Sequence, residues 1–231
     1  MIFPIGDDQV RGGHRPVLSY LLIAANILVF LFQVSLTEQA TNGFIWQFAA
    51  VPTDILEGKN LTTLFTSMFL HGGYMHIIGN MLFLWVFADN IEAIVGSPRF
   101  GMFYLVGGLF AAAAHIASSP TSAVPMIGAS GAIAAVMGAY LVMFPRSRVK
   151  MTFLFLWRFY LPAFLFLGFW IVQQFMNGYT SLSDATGGGV AWWAHIGGFA
   201  YGVWFGIRNR HLVGEDAQVA NANQINDNEY V

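Results

Sequence analysis

The chain has 231 residues, 56% of them hydrophobic and 10% charged, with a formal net charge of −2 and no cysteine. Soluble domains carry about 25% charged residues, so most of this chain cannot face water and its solvent is lipid; the mean hydropathy of +0.59 agrees. The small net charge offers no footprint for nucleic acid, and the missing cysteines exclude disulfides, thiolate metal sites and cysteine nucleophiles.

In chain order, residues 1–16 read as a short N-terminal segment. The apolar run from Val17 to about residue 36 has no small-residue cleavage site after it, so it reads as a retained span rather than a signal peptide. The segment 37–73 is the one long loop. It mixes Phe44, Ile45, Trp46 and Phe48 with turn formers and is expected to lie in the membrane interface. Five more apolar segments follow, at roughly 74–94, 100–118, 127–144, 151–176 and 190–207, each expected to cross the ~30 Å hydrocarbon core as a helix. The polar residues 209–231 are expected to be a disordered tail. The fold expected is therefore all-α, a six-transmembrane-helix bundle over residues 17–208.

Lys and Arg orient that bundle. Under a six-span layout Arg11, Arg15, Arg99, Arg146, Arg148, Lys150, Arg208 and Arg210 fall on one side and Lys59 on the other. Arg158 falls inside the fifth segment, near its start. Positive residues stay inside, which places both termini in the cytoplasm. The short tails and the lack of a soluble domain lead us to expect a bacterial-type minimal core in the plasma membrane.

Polar groups within spans are expensive and usually functional. Ser130 sits in Gly128-Ala129-Ser130-Gly131, at the start of the fourth segment. Counting back from Pro145 places it ~22 Å above the cytoplasmic edge. Counting back from Arg208 places His195, in the sixth segment, at ~20 Å. The two share a depth to within one helical turn. Their helices also carry matching small-residue faces. His195 is followed by Gly198, Gly202 and Gly206; Ser130 is followed by Ala134 and Gly138, with Gly131 beside it. In lipid such faces pack closely. That packing would bring the Ser130 hydroxyl within reach of the His195 ring, the base a serine nucleophile needs.

His76 and Asn80 lie four residues apart at the outer end of the second segment, on one helix face. Both side chains can donate hydrogen bonds. With the backbone N–H groups of the turn at Gly128 and Ser130, they could form an oxyanion hole.

These three features together, Gly128-Ala129-Ser130-Gly131, Ala194-His195 with its glycine stripe, and His76-x-x-x-Asn80, resemble the signature motifs of the rhomboid family of intramembrane proteases. They occur in the family's order, and the resemblance covers roughly residues 17–208. It implies a Ser–His dyad without a third acid and an oxyanion hole from His76, Asn80 and the Gly128–Ser130 region. It implies single transmembrane helices as substrates, cleaved near their outer end at a small residue. It also implies lateral entry past the fifth segment, beneath a cap formed by the loop 177–191 with its Gly187, Gly188 and Gly189. No cofactor or metal ion is implied, and the partners are protein substrates and lipid. Two positions depart from some members. Thr62 and Thr63 stand where those carry a Trp-Arg pair, and Ala134 stands where an aromatic would stack on the histidine, so the His195 ring needs some other restraint.

Plainer readings stand beside these. Ser130 can be a small packing residue, His195 a core histidine, Asn80 interhelical glue and His76 a partner for a loop carbonyl; His71 and His115 read as structural. A catalytically silent relative that binds transmembrane clients is a second function. A metal protein using His71, His76, His115 and His195 is a third, weakened by the absence of an HExxH motif.

Overall fold

The computed structural model describes residues 2–8, 13–153, 156–181 and 190–214. Among these, six helices of 14 or more residues form the bundle: α1 (Val17–Ser35), α5 (Tyr74–Val95), α6 (Ser97–Ser118), α7 (Ser130–Met143), α8 (Ala163–Ser181) and α9 (Trp192–Asn209). Three of them, α1, α5 and α6, are long and apolar enough by themselves to cross a membrane. The long loop is itself helical, with α2 (Glu38–Phe48), α3 (Pro52–Leu56), α4 (Thr63–Thr66) and a 3-10 turn at Ser67–Phe69.

The helices are turned inside out relative to a soluble protein. On α1 the buried residues include Ser19, Asn26 and Gln33, spaced at seven and so on one face, while Leu21, Leu28, Leu31 and Phe32 are exposed. On α8, Gln174 is buried and Phe164, Phe169 and Phe175 are exposed. Polar groups must find partners inside the bundle when the surroundings are hydrocarbon. Asn26 bonds the Leu22 carbonyl, and Gln33 clamps the His71 backbone through both its amide atoms, at 3.2 and 3.1 Å.

The central helix is α7, buried from Gly131 through Tyr140 and packed against α5, α6, α8 and α9. Its contact with α9 is backbone on backbone. A Cβ on Gly198 would stand 2.1 Å from the Gly131 carbonyl oxygen, one on Gly202 1.9 Å from that of Ala135, and one on Gly138 2.2 Å from that of Phe199. Gly206 faces Val142 and Ala139, while Gly131 itself faces Ala111 of α6. At 14 residues α7 is about 21 Å long. Residues 127–129, expected to be helical, instead form the turn that leads into α7, which begins at Ser130.

One expected element is corrected. The segment 151–176 is not one helix: α8 begins only at Ala163. Before it, β2 (Arg148–Phe153) and β3 (Trp157–Pro162) form a hairpin, and β1 (Ile2–Gly6) pairs with β2 to make a three-stranded antiparallel sheet. Arg158 therefore lies on β3 and not within a span. Alternation marks the first four residues of β2: Val149 and Met151 are fully buried, while Arg148 and Lys150, each one residue before them, are only partly so. The N-terminal segment is docked as well as paired. Asp8 accepts from the Arg148 amide, Asn90 donates to Asp7, and Tyr140 donates to Asp7 while accepting from the Ser147 hydroxyl. Glu92 accepts from the first turn of α1 and from Ser97, tying the ends of α1, α5 and α6 together. Of the loop expected to cap the bundle, residues 182–189 lie outside the described residues, as do residues 215–231 of the tail; α8 extends to Ser181.

Candidate active site

Ser130 is the first residue of α7, where helix N–H groups have no intrahelical acceptor. His195 lies one turn into α9, directly above the Gly198 contact with Gly131. The close packing of α7 on α9 sets the distance: His195 Nε2 is 2.9 Å from Ser130 Oγ. His195 is 8% exposed, shielded from the surroundings, while Ser130 is half-buried and reachable.

His76 and Asn80 come from the first two turns of α5. The Gly72 N–H donates to His76 Nδ1 at 3.3 Å. That nitrogen is then the acceptor of the ring, and Nε2 carries the proton. Nε2 is the atom that faces Gly128: a Cβ there would stand 2.8 Å from it and 3.7 Å from Asn80 Nδ2. Asn80 Nδ2 is buried with no hydrogen-bond partner among the described residues. Two side-chain donors thus face the open side of Gly128, two residues before Ser130. Gly128 differs from the expectation in one respect. Its N–H already donates to the Ser67 carbonyl at 2.9 Å, so it offers room and not a donor. Its φ of +119° is a conformation that L side chains rarely adopt.

Beside Ser130 a cavity of about 20 Å³, lined in part by Ser67, Met68, Gly108, Met126 and Gly128, opens between α4, α6 and α7. It is roughly large enough for one water molecule. His71 is fully buried in the loop before α5, its ring 5.1 Å from that of His76. Burial first, and the neighbouring His76 second, push its pKa down to about 4. Among the described residues no three His, Asp or Glu side chains converge as metal ligands would.

Three residues near His195 were not anticipated. Gln174 Oε1 is 2.8 Å from His195 Nδ1, and the rings of Trp170 and Trp192 lie 5.7 and 6.2 Å from the imidazole. The available signal was a glutamine in the middle of an apolar aromatic run, on the face of Trp170 four residues earlier. Ala134 is buried and leaves no ring there to stack.

Comparison with known proteins identifies the family. The family model described as "Rhomboid domain" matches residues 58–211. The chain is 34% identical over 128 residues to "Rhomboid protease GluP" of Bacillus subtilis (strain 168), covering 55% of this chain and 24% of that protein. It is 28% identical over 215 residues to "Presenilin-associated rhomboid-like protein, mitochondrial" of Homo sapiens, covering 89% of this chain and 51% of that one. It is 26% identical over 199 residues to "Rhomboid protein 1, mitochondrial" of Saccharomyces cerevisiae, covering 84% and 53%. The chain thus spans about a quarter of the first relative and about half of the other two. With the domain match covering well over half its length, this chain belongs to the rhomboid family and is an integral membrane protein.

Proposed function

We propose that the chain is an intramembrane serine endopeptidase acting through a Ser130–His195 dyad on transmembrane-helix substrates. The observation that carries the proposal is the 2.9 Å contact between His195 Nε2 and Ser130 Oγ, at the head of two helices packed backbone to backbone. Ser130 Oγ attacks the scissile carbonyl carbon as its proton passes to His195 Nε2. Asn80 Nδ2, His76 Nε2–H and the Ser130 N–H donate to the oxyanion. Collapse breaks the C–N bond, and His195 returns the proton to the leaving amine. Water, deprotonated by His195, then releases the acyl group from Ser130. A substrate helix would enter laterally past α8, and the bond cleaved would lie near its outer end. Both termini then lie in the cytoplasm or its equivalent. The relatives come from Bacillus and from mitochondria alike, so the proposal names an integral membrane and not a bacterial plasma membrane.

The test is covalent labelling. Purified protein in detergent is treated with a fluorophosphonate, and the adduct is located by mass spectrometry. Labelling at Ser130 that is lost in both Ser130→Ala and His195→Ala is expected. A folded, reachable protein with no adduct would turn the reading to a silent, client-binding member of the family.

A further inference from the structure

We propose that Gln174 is a third, positioning residue of the site, which holds His195 in the tautomer that can take the proton of Ser130. The proposal rests on the reading of Ser130 and His195 as nucleophile and base. The argument is one of hydrogen-bond direction. Gln174 Nε2 donates to the Trp170 carbonyl at 3.2 Å. A carbonyl oxygen only accepts, so the NH2 end of the amide must face Trp170 and the oxygen must face His195. An amide oxygen also only accepts, so the 2.8 Å contact with His195 Nδ1 requires a proton on Nδ1. A neutral imidazole carries one proton. Nε2 is then the lone-pair nitrogen, and it is the one 2.9 Å from Ser130 Oγ. The chain of donors runs one way, Ser130 to His195 to Gln174 to the backbone of α8.

The same geometry answers what restrains a ring that has Ala134 below it. Trp170 and Gln174 stand one turn apart on α8, and Trp192 meets the imidazole edge-on at 89°. Gln174 is 3% exposed, so water does not compete for its oxygen. When His195 accepts the serine proton, Nδ1–H carries more of the positive charge and its bond to the Gln174 oxygen strengthens. An amide dipole in this position takes the orienting role of a buried carboxylate without placing a second charge in the bundle.

A glutamine within a span can equally be interhelical glue, and the two roles separate by experiment. In Gln174→Met the side chain keeps its length and loses its acceptor. We expect the maximal rate of fluorophosphonate labelling at Ser130 to fall about 10- to 100-fold. The probe concentration at half-maximal rate should stay within about twofold, and the melting temperature should be near that of the unaltered protein. Gln174→Glu, which restores an oxygen acceptor, should recover most of the rate. A role as glue alone predicts the reverse, a lowered melting temperature with labelling unchanged, and that result would overturn the proposal. Should Gln174→Met not fold, nitrogen NMR of histidine-labelled unaltered protein at pH 8, with His195→Ala identifying the signal, still decides. A proton on Nδ1 supports the proposal, and a proton on Nε2 overturns it. If the unaltered protein itself takes no label at Ser130, the underlying dyad fails and not the assignment of Gln174 alone.

Discussion

Gly198 lies directly against the backbone of Gly131: a Cβ on the first would stand 2.1 Å from the carbonyl oxygen of the second. One residue before Gly131 is Ser130, and three before Gly198 is His195. The helix contact and the Ser130–His195 distance are therefore one geometric fact. Whatever separates α7 from α9 also separates Ser130 from His195.

That coupling sets the first prediction. Gly202, one turn below Gly198, meets the Ala135 carbonyl even more closely, at 1.9 Å for a Cβ. Backbone cannot yield as a flexible side chain can. Gly202→Leu should push the helices apart, destabilise the bundle by several kcal/mol and abolish labelling at Ser130. Gly168→Ala on α8 is the control, since nothing lies within 4 Å of its Cβ position. It should be neutral or stabilising by about 0.5–1 kcal/mol. Thermal melting in detergent checks both; an intact, active Gly202→Leu would show that this face does not set the distance.

Asn80 presents a different case, because its Nδ2 is buried and unused at rest. A donor with no ground-state partner fits one needed only when charge develops. Asn80→Leu should lower the maximal cleavage rate about 10²–10³-fold with little change in KM. It should not lower the melting temperature, since no resting hydrogen bond is lost. Gly128→Ala acts on the same space from the other side, adding a methyl at 2.8 Å from His76 Nε2 on a backbone with φ of +119°. It should cost both activity and stability. Steady-state kinetics and melting curves on the two variants separate the effects.

How far the sequence carried this site depends on what each residue's position needed. Ser130 and His195 could be paired from the chain because helical rise converts sequence distance into depth, and the small-residue faces name the contact. His76 and Asn80 followed from their shared face. Gln174 did not, because two adjacent amides, Gln173 and Gln174, in an apolar run do not say which turns inward or what it will meet; only the packing of α8 on α9 does. The hairpin at 148–162 was missed for a related reason. In lipid-exposed chains, an aromatic run such as Trp157, Phe159 and Tyr160 satisfies a span, a strand or an interface equally. Partnering by residues 2–6, some 145 positions away, decided it. The use of Gly128's N–H by Ser67 was likewise a tertiary fact.

The cavity beside Ser130 leads to a prediction about substrates. Its volume of about 20 Å³ admits little more than a methyl or hydroxymethyl group. Single-span substrates with Ala, Ser or Gly before the scissile bond should be cleaved. Those with Phe or Leu there should lose at least about 10-fold in kcat/KM, the scale of a few misplaced methylenes. Mass spectrometry of the products from a substrate series checks the preference. Efficient cleavage after Phe would mean that this cavity does not receive the side chain.

His71 makes stability depend on pH. Buried in the loop that leads into α5, it has its pKa held near 4, below the ordinary 6.5. Below pH 6.5 the unfolded chain therefore binds a proton that the folded chain refuses. The neutral ring's contribution is complete above pH 6.5 and is lost as the pH falls towards 4, by on the order of 3 kcal/mol. Gln33 holds the His71 backbone and not its ring, so His71→Gln leaves that clamp in place. The melting temperature of the unaltered protein should drop between pH 7.5 and pH 5, and the drop should be smaller in His71→Gln. The remaining histidines are common to both proteins and cancel in the difference. Equal drops in the two proteins would show that His71 is not the group that refuses the proton.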